Sequence, residues 1–352
     1  MQFNSLRMRK ASFFCAVLCC LISSGAVVAA EWSIEPSIRL REEYNDNIHL
    51  TTAPHSGVWQ TSLSPSVKLS SKTEVTEVSG LAQIGFNRFT GEQGLNRNDK
   101  LFSLLASLQS ERNTWAMNVS YKQDSTADSE RVATGIVQAR TQRSALGVNH
   151  SWTRALTERV SLKLDYSFQD VQFESHVNLN DYTFQQVGGA LQYRLSERDT
   201  VSLSVNYSKT DYAPSISEIL SPSYLLTTTV NKSDVHNVQL SIGHAFSETL
   251  GGSLALGMHN TLLISEQSQS AFSSSAKSET HGAGSSFSAR LEKEFEAAKV
   301  SGFASREAVQ SGSGLVETDR FGMSLNKDLT EAMTGAVDAT LYRTRYIGST
   351  SP

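Results

Sequence analysis

The residues best suited to chemistry are eight histidines, His49, His55, His150, His176, His236, His244, His259 and His281. None stands in an HExxH or HxH arrangement. All three cysteines, Cys15, Cys19 and Cys20, fall in an apolar leader, so thiolate chemistry and the usual zinc ligand sets have no members downstream of it. His150 and His244 each interrupt an apolar face near the end of an expected strand, where a membrane hydrolase could pair a histidine with a serine. His150 and Ser151 are sequence neighbours, however, which puts them on opposite faces of a strand. Two interfacial histidines fit better than a catalytic pair. No catalytic, cofactor-binding or metal residue is assigned, and the chain is expected not to be an enzyme.

Asn45-Asp46-Asn47, just after Tyr44, offers oxygen ligands at alternate positions, as a calcium loop does, but lacks the following Gly and the distal Glu of an EF-hand. Asn and Asp also bond their own backbone at turns, so this first-loop motif is expected to be a strand exit, with metal or lipid-headgroup binding as the alternative. A third set of residues recurs at alternate strand positions opposite apolar neighbours: Arg39, Arg41, Glu43, Lys68, Asn118, Lys122, Lys163, Asp165, Arg194 and Arg320. Charges of both signs on one wall suit a solvated channel, where they tune ion preference without forming a binding site.

Such a wall needs elements that present one face to water and the other to something apolar. The chain begins with Arg7, Arg9 and Lys10, an apolar run from Ala11 to Ile22, and Val28-Ala29-Ala30 before Glu31. That is the build of a secretory signal peptide over residues 1–30, leaving 31–352 as the mature domain. Leu18 stands where a lipoprotein leader needs a small residue before Cys19. The whole sequence has 31 basic and 35 acidic residues. Losing the three leader cations makes the mature surface more acidic, which argues against nucleic acid as a partner.

Beyond the leader, period two recurs. Trp32, Ile34, Pro36, Ile38, Leu40 and Tyr44 share one face, and Ser33, Glu35, Ser37, Arg39, Arg41 and Glu43 the other. The same rule picks out about fifteen strands. Short turns such as Thr157-Glu158-Arg159 and Ser196-Glu197-Arg198-Asp199 alternate with long polar segments, among them Asn45 to Val58, Gln123 to Ala139, Lys209 to Asp234 and Glu266 to His281. Aromatic residues sit near strand ends on the apolar face, and the opposite face is too polar for a sandwich core. These features predict an all-β fold, a transmembrane antiparallel up-and-down β-barrel of the bacterial outer membrane, rather than a periplasmic sandwich or β-helix. Trp32 to Tyr44 rises roughly 40 Å along the strand, or about 28 Å across a bilayer at a tilt near 45°.

The first strand, Trp-x-Ile-x-Pro-x-Ile-x-Leu, followed by Tyr44-Asn45-Asp46-Asn47-Ile48 behind a secreted leader, resembles the outer-membrane β-barrel porins found with exopolysaccharide and exosortase systems in Gram-negative bacteria. The resemblance covers the mature chain in outline. It implies an outer-membrane location and a link to exopolysaccharide or its export proteins, with outer-membrane lipid and the barrel-assembly machinery as partners. No individual functional residue carries over from it. The chain departs from the usual aromatic-ended final strand by stopping at Ile347-Gly348-Ser349-Thr350-Ser351-Pro352. Because the last strand runs outward, an even count needs one more, and sixteen or more strands are expected in the intact barrel. Two functions follow as expectations: a passive or weakly selective porin-like channel, or a structural or adhesive surface protein whose external loops bind a polymer.

Overall fold

The computed structural model describes residues 30–48, 57–135, 140–175, 179–220, 224–269, 275–330 and 333–347. The expected signal peptide and His49, His55 and His176 lie outside the described residues. The strands are β1 (Glu31–Asn45), β2 (Val58–Lys72), β3 (Thr76–Phe89), β4 (Arg97–Gln109), β5 (Asn113–Ser125), β6 (Gln142–Ala155), β7 (Val160–Phe173) and β8 (Tyr182–Arg194). They continue with β9 (Asp199–Tyr212), β10 (Ser215–Leu220), β11 (Tyr224–Ala245), β12 (Leu250–Gln269), β13 (Ser275–Phe295), β14 (Ala298–Ser311), β15 (Gly314–Thr330) and β16 (Met333–Tyr346). One α-helix, α1 (Thr126–Thr134), follows β5.

Fifteen strands bond in the order β1 to β9 and then β11 to β16, each antiparallel to the next, while β10 pairs only with β11. Up-and-down order follows from the short connections, since two antiparallel strands need only a tight turn. The turn hydroxyls brace the turn backbone: Thr157 Oγ accepts from the Arg159 and Val160 amides at 3.2 and 3.0 Å, and Ser196 Oγ from those of Arg198 and Asp199 at 3.1 and 3.0 Å.

Register keeps the two faces apart. Between β5 and β6, Trp115 faces Trp152, Val119 faces Val148 and Tyr121 faces Leu146, while Asn118 faces Asn149 on the other side. Cross-strand ring pairs brace the apolar face, with Tyr44 and Trp59 centroids 5.2 Å apart and Trp115 and Trp152 5.6 Å apart. This face is bare: Met258, in the middle of a long strand flanked on both sides, is 71% exposed. A continuous apolar surface of this kind is stable against lipid and unstable against water. Among the described residues no helix is long and apolar enough to cross a membrane.

Three features depart from the sequence reading. The segment Gln123 to Ala139, expected as loop, contains α1. Lys209 to Asp234 and Glu266 to His281, also expected as loops, are largely strand, so that β11, β12 and β13 reach 22, 20 and 21 residues. Their upper halves put like residues next to one another, polar at Thr227-Thr228-Thr229 and Ser265-Glu266-Gln267-Ser268 and apolar at Leu262-Leu263-Ile264, which hides strand periodicity from an apolar-versus-polar test. The third departure is at the C-terminal end. β14 pairs with β13 only from Ala298 to Arg306, and above Arg306 it pairs with β15 alone. β1 and β16 both run toward the long-loop end, and no pairing between them closes the sheet among the described residues.

Candidate functional site

The face opposite the lipid-facing one is the inner face, because elements far apart in sheet order meet on it. The Asn180 amide donates to the Gly312 carbonyl at 2.8 Å, Tyr342 OH to the Val132 carbonyl at 3.4 Å, Thr344 Oγ to the Thr134 carbonyl and Arg140 to the Ile48 carbonyl. The strand registers put Arg39, Arg41, Glu43, Lys68, Asn118, Lys122, Lys163, Asp165, Arg194 and Arg320 on this parity. They do not converge on one site. Arg41 pairs with Glu43 at 2.5 Å, Lys68 with Glu35 at 3.7 Å, Lys122 with Asp124 at 2.6 Å and Arg320 with Glu307.

Arg39, Arg41 and Glu43 line a cavity of about 300 Å³ between the β1–β4 wall and α1. Its far side is a polar relay that the sequence reading missed. Asn87 accepts from Gln60 and Ser62 and donates to Asp99 at 2.6 Å; Arg97 then bridges Asp99, at 3.2 Å, and Asp128 of α1, at 2.5 Å. Asn45 Oδ1 accepts from the Asn47 amide at 3.0 Å, the local turn expected of the first-loop motif. Tyr44 stays on the lipid side against Trp59.

The inner face is obstructed at its external end. Ser125 Oγ accepts from the Ala127 amide at 3.2 Å and caps α1; Gly135, at φ +75°, ends it. A Ser and a Gly bracketing nine positions was the available sequence signal. α1 lies across the lumen, and Glu130 reaches the tip of the β14–β15 hairpin, where the Gly312 amide donates to its carboxylate. Burial holds that carboxyl above the ordinary carboxylate range against the pull of Arg143, and Asp124 adds to the rise. Beneath the tip, Val171, Phe173, Leu179, Tyr182, Phe184 and Tyr212 form an apolar core on the inner parity of β7, β8 and β9 and the segment between β7 and β8. The Gly312 backbone sits against it: a Cβ there would meet the Phe173 ring at 2.7 Å.

The upper ends of β14, β15 and β16 form a second layer inside the sheet. On β15, Phe321, Met323 and Leu325 face lipid, yet the same parity continues as Asp319, held by Arg306, and Glu317, turned toward the β12–β13 wall. Glu317 lies 3.9 Å from His259 and pairs with Arg345, and Arg306 grips Asp319 through two bonds of 2.5 and 2.9 Å. Asp319 is 5% exposed and Thr318, on the opposite parity, 0%. The lipid-facing row becomes an internal ion-paired row where the hairpin leaves β13.

The suspected histidine chemistry has no matching geometry. His244 Nδ1 is 2.6 Å from Asp199, but Ser196 Oγ donates to that same carboxylate at 2.5 Å, so the carboxylate lies between hydroxyl and imidazole where a nucleophile–base pair needs them in contact. His150 packs beside Trp115 on the lipid side, with ring centroids 5.4 Å apart.

The fold and its bare apolar face define a β-barrel protein of the bacterial outer membrane. No protein-family model and no curated protein matches the chain. Among solved structures it is similar to the ferric-catecholate import receptor Fiu from E. coli K12, with 6% identity over 90% of this chain and 65% of that one and a TM-score of 0.51. It also matches OccK8 (OprE) of Pseudomonas aeruginosa, with 8% identity over 91% and 96% of the two chains and a TM-score of 0.36. OccAB3 of Acinetobacter baumannii matches with 12% identity over 90% and 93% and a TM-score of 0.34. The chain spans about half to two thirds of the length of the iron-uptake receptors it matches.

Proposed function

We propose that the chain is a porin-like channel whose external mouth is narrowed by its own α1 and β14–β15 tip, and that it is not an enzyme. One observation carries this reading: the inner face holds a polar wall with charges of both signs, including the Arg39–Arg41–Glu43 cavity, beneath a plug formed by residues of the same chain. A wall that stays hydrated along its length supports diffusion of small polar solutes, and the arginine-rich side biases it toward anions. Exopolysaccharide or its fragments belong among the candidate solutes on the resemblance of the first strand and its Tyr44–Ile48 exit.

The test is conductance in planar bilayers, comparing the full chain with a variant in which residues 126–139 are replaced by a short Gly/Ser linker. Open-state conductance rises several-fold in the variant; silence in both would end the channel reading. A second reading, a surface protein anchored by its barrel, is favoured by the tall polar wall of β11 to β13. It predicts that trimming the β12–β13 tip abolishes polymer retention at the cell surface and leaves conductance unchanged.

A further inference from the structure

At the external rim, where Arg88, Asn98, Lys100 and Gln123 continue the lipid-facing parity above Phe102 and Tyr121, lies a groove of about 840 Å³. Four cationic side chains line it, Arg88 and Lys100 from the lipid-facing parity and Arg97 and Arg140, which also line the inner cavity beside α1, against one carboxylate, Glu174. Arg97 is committed to Asp99 and Asp128. Arg88 and Lys100 have no carboxylate partner among the described residues, in contrast to other cations of the outer face, where Lys209 pairs with Asp211 at 3.0 Å and Lys277 with Glu279 at 2.6 Å.

Arg88 is also held in place. One of its terminal nitrogens donates to the carbonyls of Asn87 and Arg97 at 2.9 and 3.2 Å and to Asn98 Oδ1 at 3.1 Å. A guanidinium anchored through one nitrogen presents the rest of its planar fork without further loss of side-chain freedom. Lys100 lies opposite Gln123, one outward-facing row above Phe102 and Tyr121, so its stem lies on the apolar wall while its ammonium reaches headgroup level.

We propose that this groove binds a phosphate group of an outer-leaflet glycolipid, with Arg88 and Lys100 as the phosphate ligands and the Phe86–Phe102–Tyr121 surface as the bed for its acyl chains. Position selects the lipid over free phosphate: the cations sit directly over an apolar wall that a soluble anion would not use. An Arg fork and an ammonium lining one groove suit a phosphate group, which can accept from both. The two proposed ligands are on the lipid-facing parity, so the proposal does not rest on the channel reading.

The experiment uses the full chain in detergent micelles, with diphosphorylated lipid A as the probe and monophosphorylated lipid A and inorganic phosphate as competitors. Removing the charge pair with Arg88→Gln and Lys100→Gln weakens lipid A binding by about tenfold or more. Lys209→Gln leaves it unchanged. Lys100→Gln alone, which removes no observed contact, serves as a second variant should the double one misfold, and lowers affinity in the same direction. Wild-type affinity in both variants would overturn the proposal. So would displacement of lipid A by inorganic phosphate at equal concentration, which would mark a site for the free anion.

Discussion

Strands β5 to β9 and strands β14 to β16 obey the same period-two rule, yet they end in different surroundings. Along β5 to β9 the outward parity borders lipid over most of each strand, and the ladders are unbroken from turn to turn. In β15 the outward parity is apolar from Leu325 to Phe321 and then charged at Asp319 and Glu317, and at that height the hairpin parts from β13 and turns inward. A carboxylate facing hydrocarbon carries a desolvation cost that a ladder bond does not offset. Moving the segment into the lumen, where Arg306, Arg345 and His259 meet those carboxylates, removes the cost and supplies the plug.

The sharpest way to break this contrast is to remove the charge that makes the C-terminal segment different. Asp319→Ala removes the closer of the two carboxylates beside Arg306, leaving Glu317 at 3.9 Å, and destabilises the fold by about 2–4 kcal/mol in urea titrations of the refolded protein. The swap Arg306→Asp with Asp319→Arg restores at least half of that; an Asp319→Ala midpoint equal to wild type would mean that the ion pairs do not hold the hairpin. Next in size is Gly312→Val, whose side chain collides with the Phe173 ring at the tip. It costs about 1–3 kcal/mol and raises conductance, because overpacking lifts the tip from its bed; unchanged conductance would place the barrier elsewhere.

Glu130 links the two regions through pH. Its carboxyl is held above the ordinary range when α1 is docked, so the docked state takes up a proton that the undocked state releases in the window between the two values. Docking therefore strengthens as pH falls through that window and weakens as it rises. Conductance should decrease on acidification, and Glu130→Gln should flatten the profile and hold the channel in its low-conductance state. A profile identical to wild type in that variant would remove Glu130 from the latch. The smallest effect belongs to the regular wall: Arg39→Gln with Arg41→Gln changes stability by no more than about 0.5 kcal/mol. It should nonetheless shift reversal potentials toward cations.

Much of the regular wall was legible in the sequence. Parity alone put Trp32 to Tyr44 in one strand, where the fold has Glu31–Asn45, and put Arg39 and Lys163 opposite the apolar side. What escaped was everything whose contrast is not apolar against polar. The 9-residue α1 exposes Val132 and buries Glu130, so it carries no apolar stripe to detect. The Thr227-Thr228-Thr229 run of β11 favours strand through β-branching yet alternates nothing. The plug depends on contacts between segments remote in sequence, and no local pattern encodes those.

Thr344 and Thr134, which meet where β16 crosses α1, are 210 positions apart in the chain. Joining points so distant costs roughly 5 kcal/mol of chain entropy by loop-length scaling, whereas neighbouring wall strands are joined by connections of at most about sixteen residues. Neighbouring hairpins can therefore zip one after another, and the α1–β16 contact can form only when β16 is in place. Assembly would then pass through a species with much of its wall built and its mouth still open, and the plug would record that β16 has arrived.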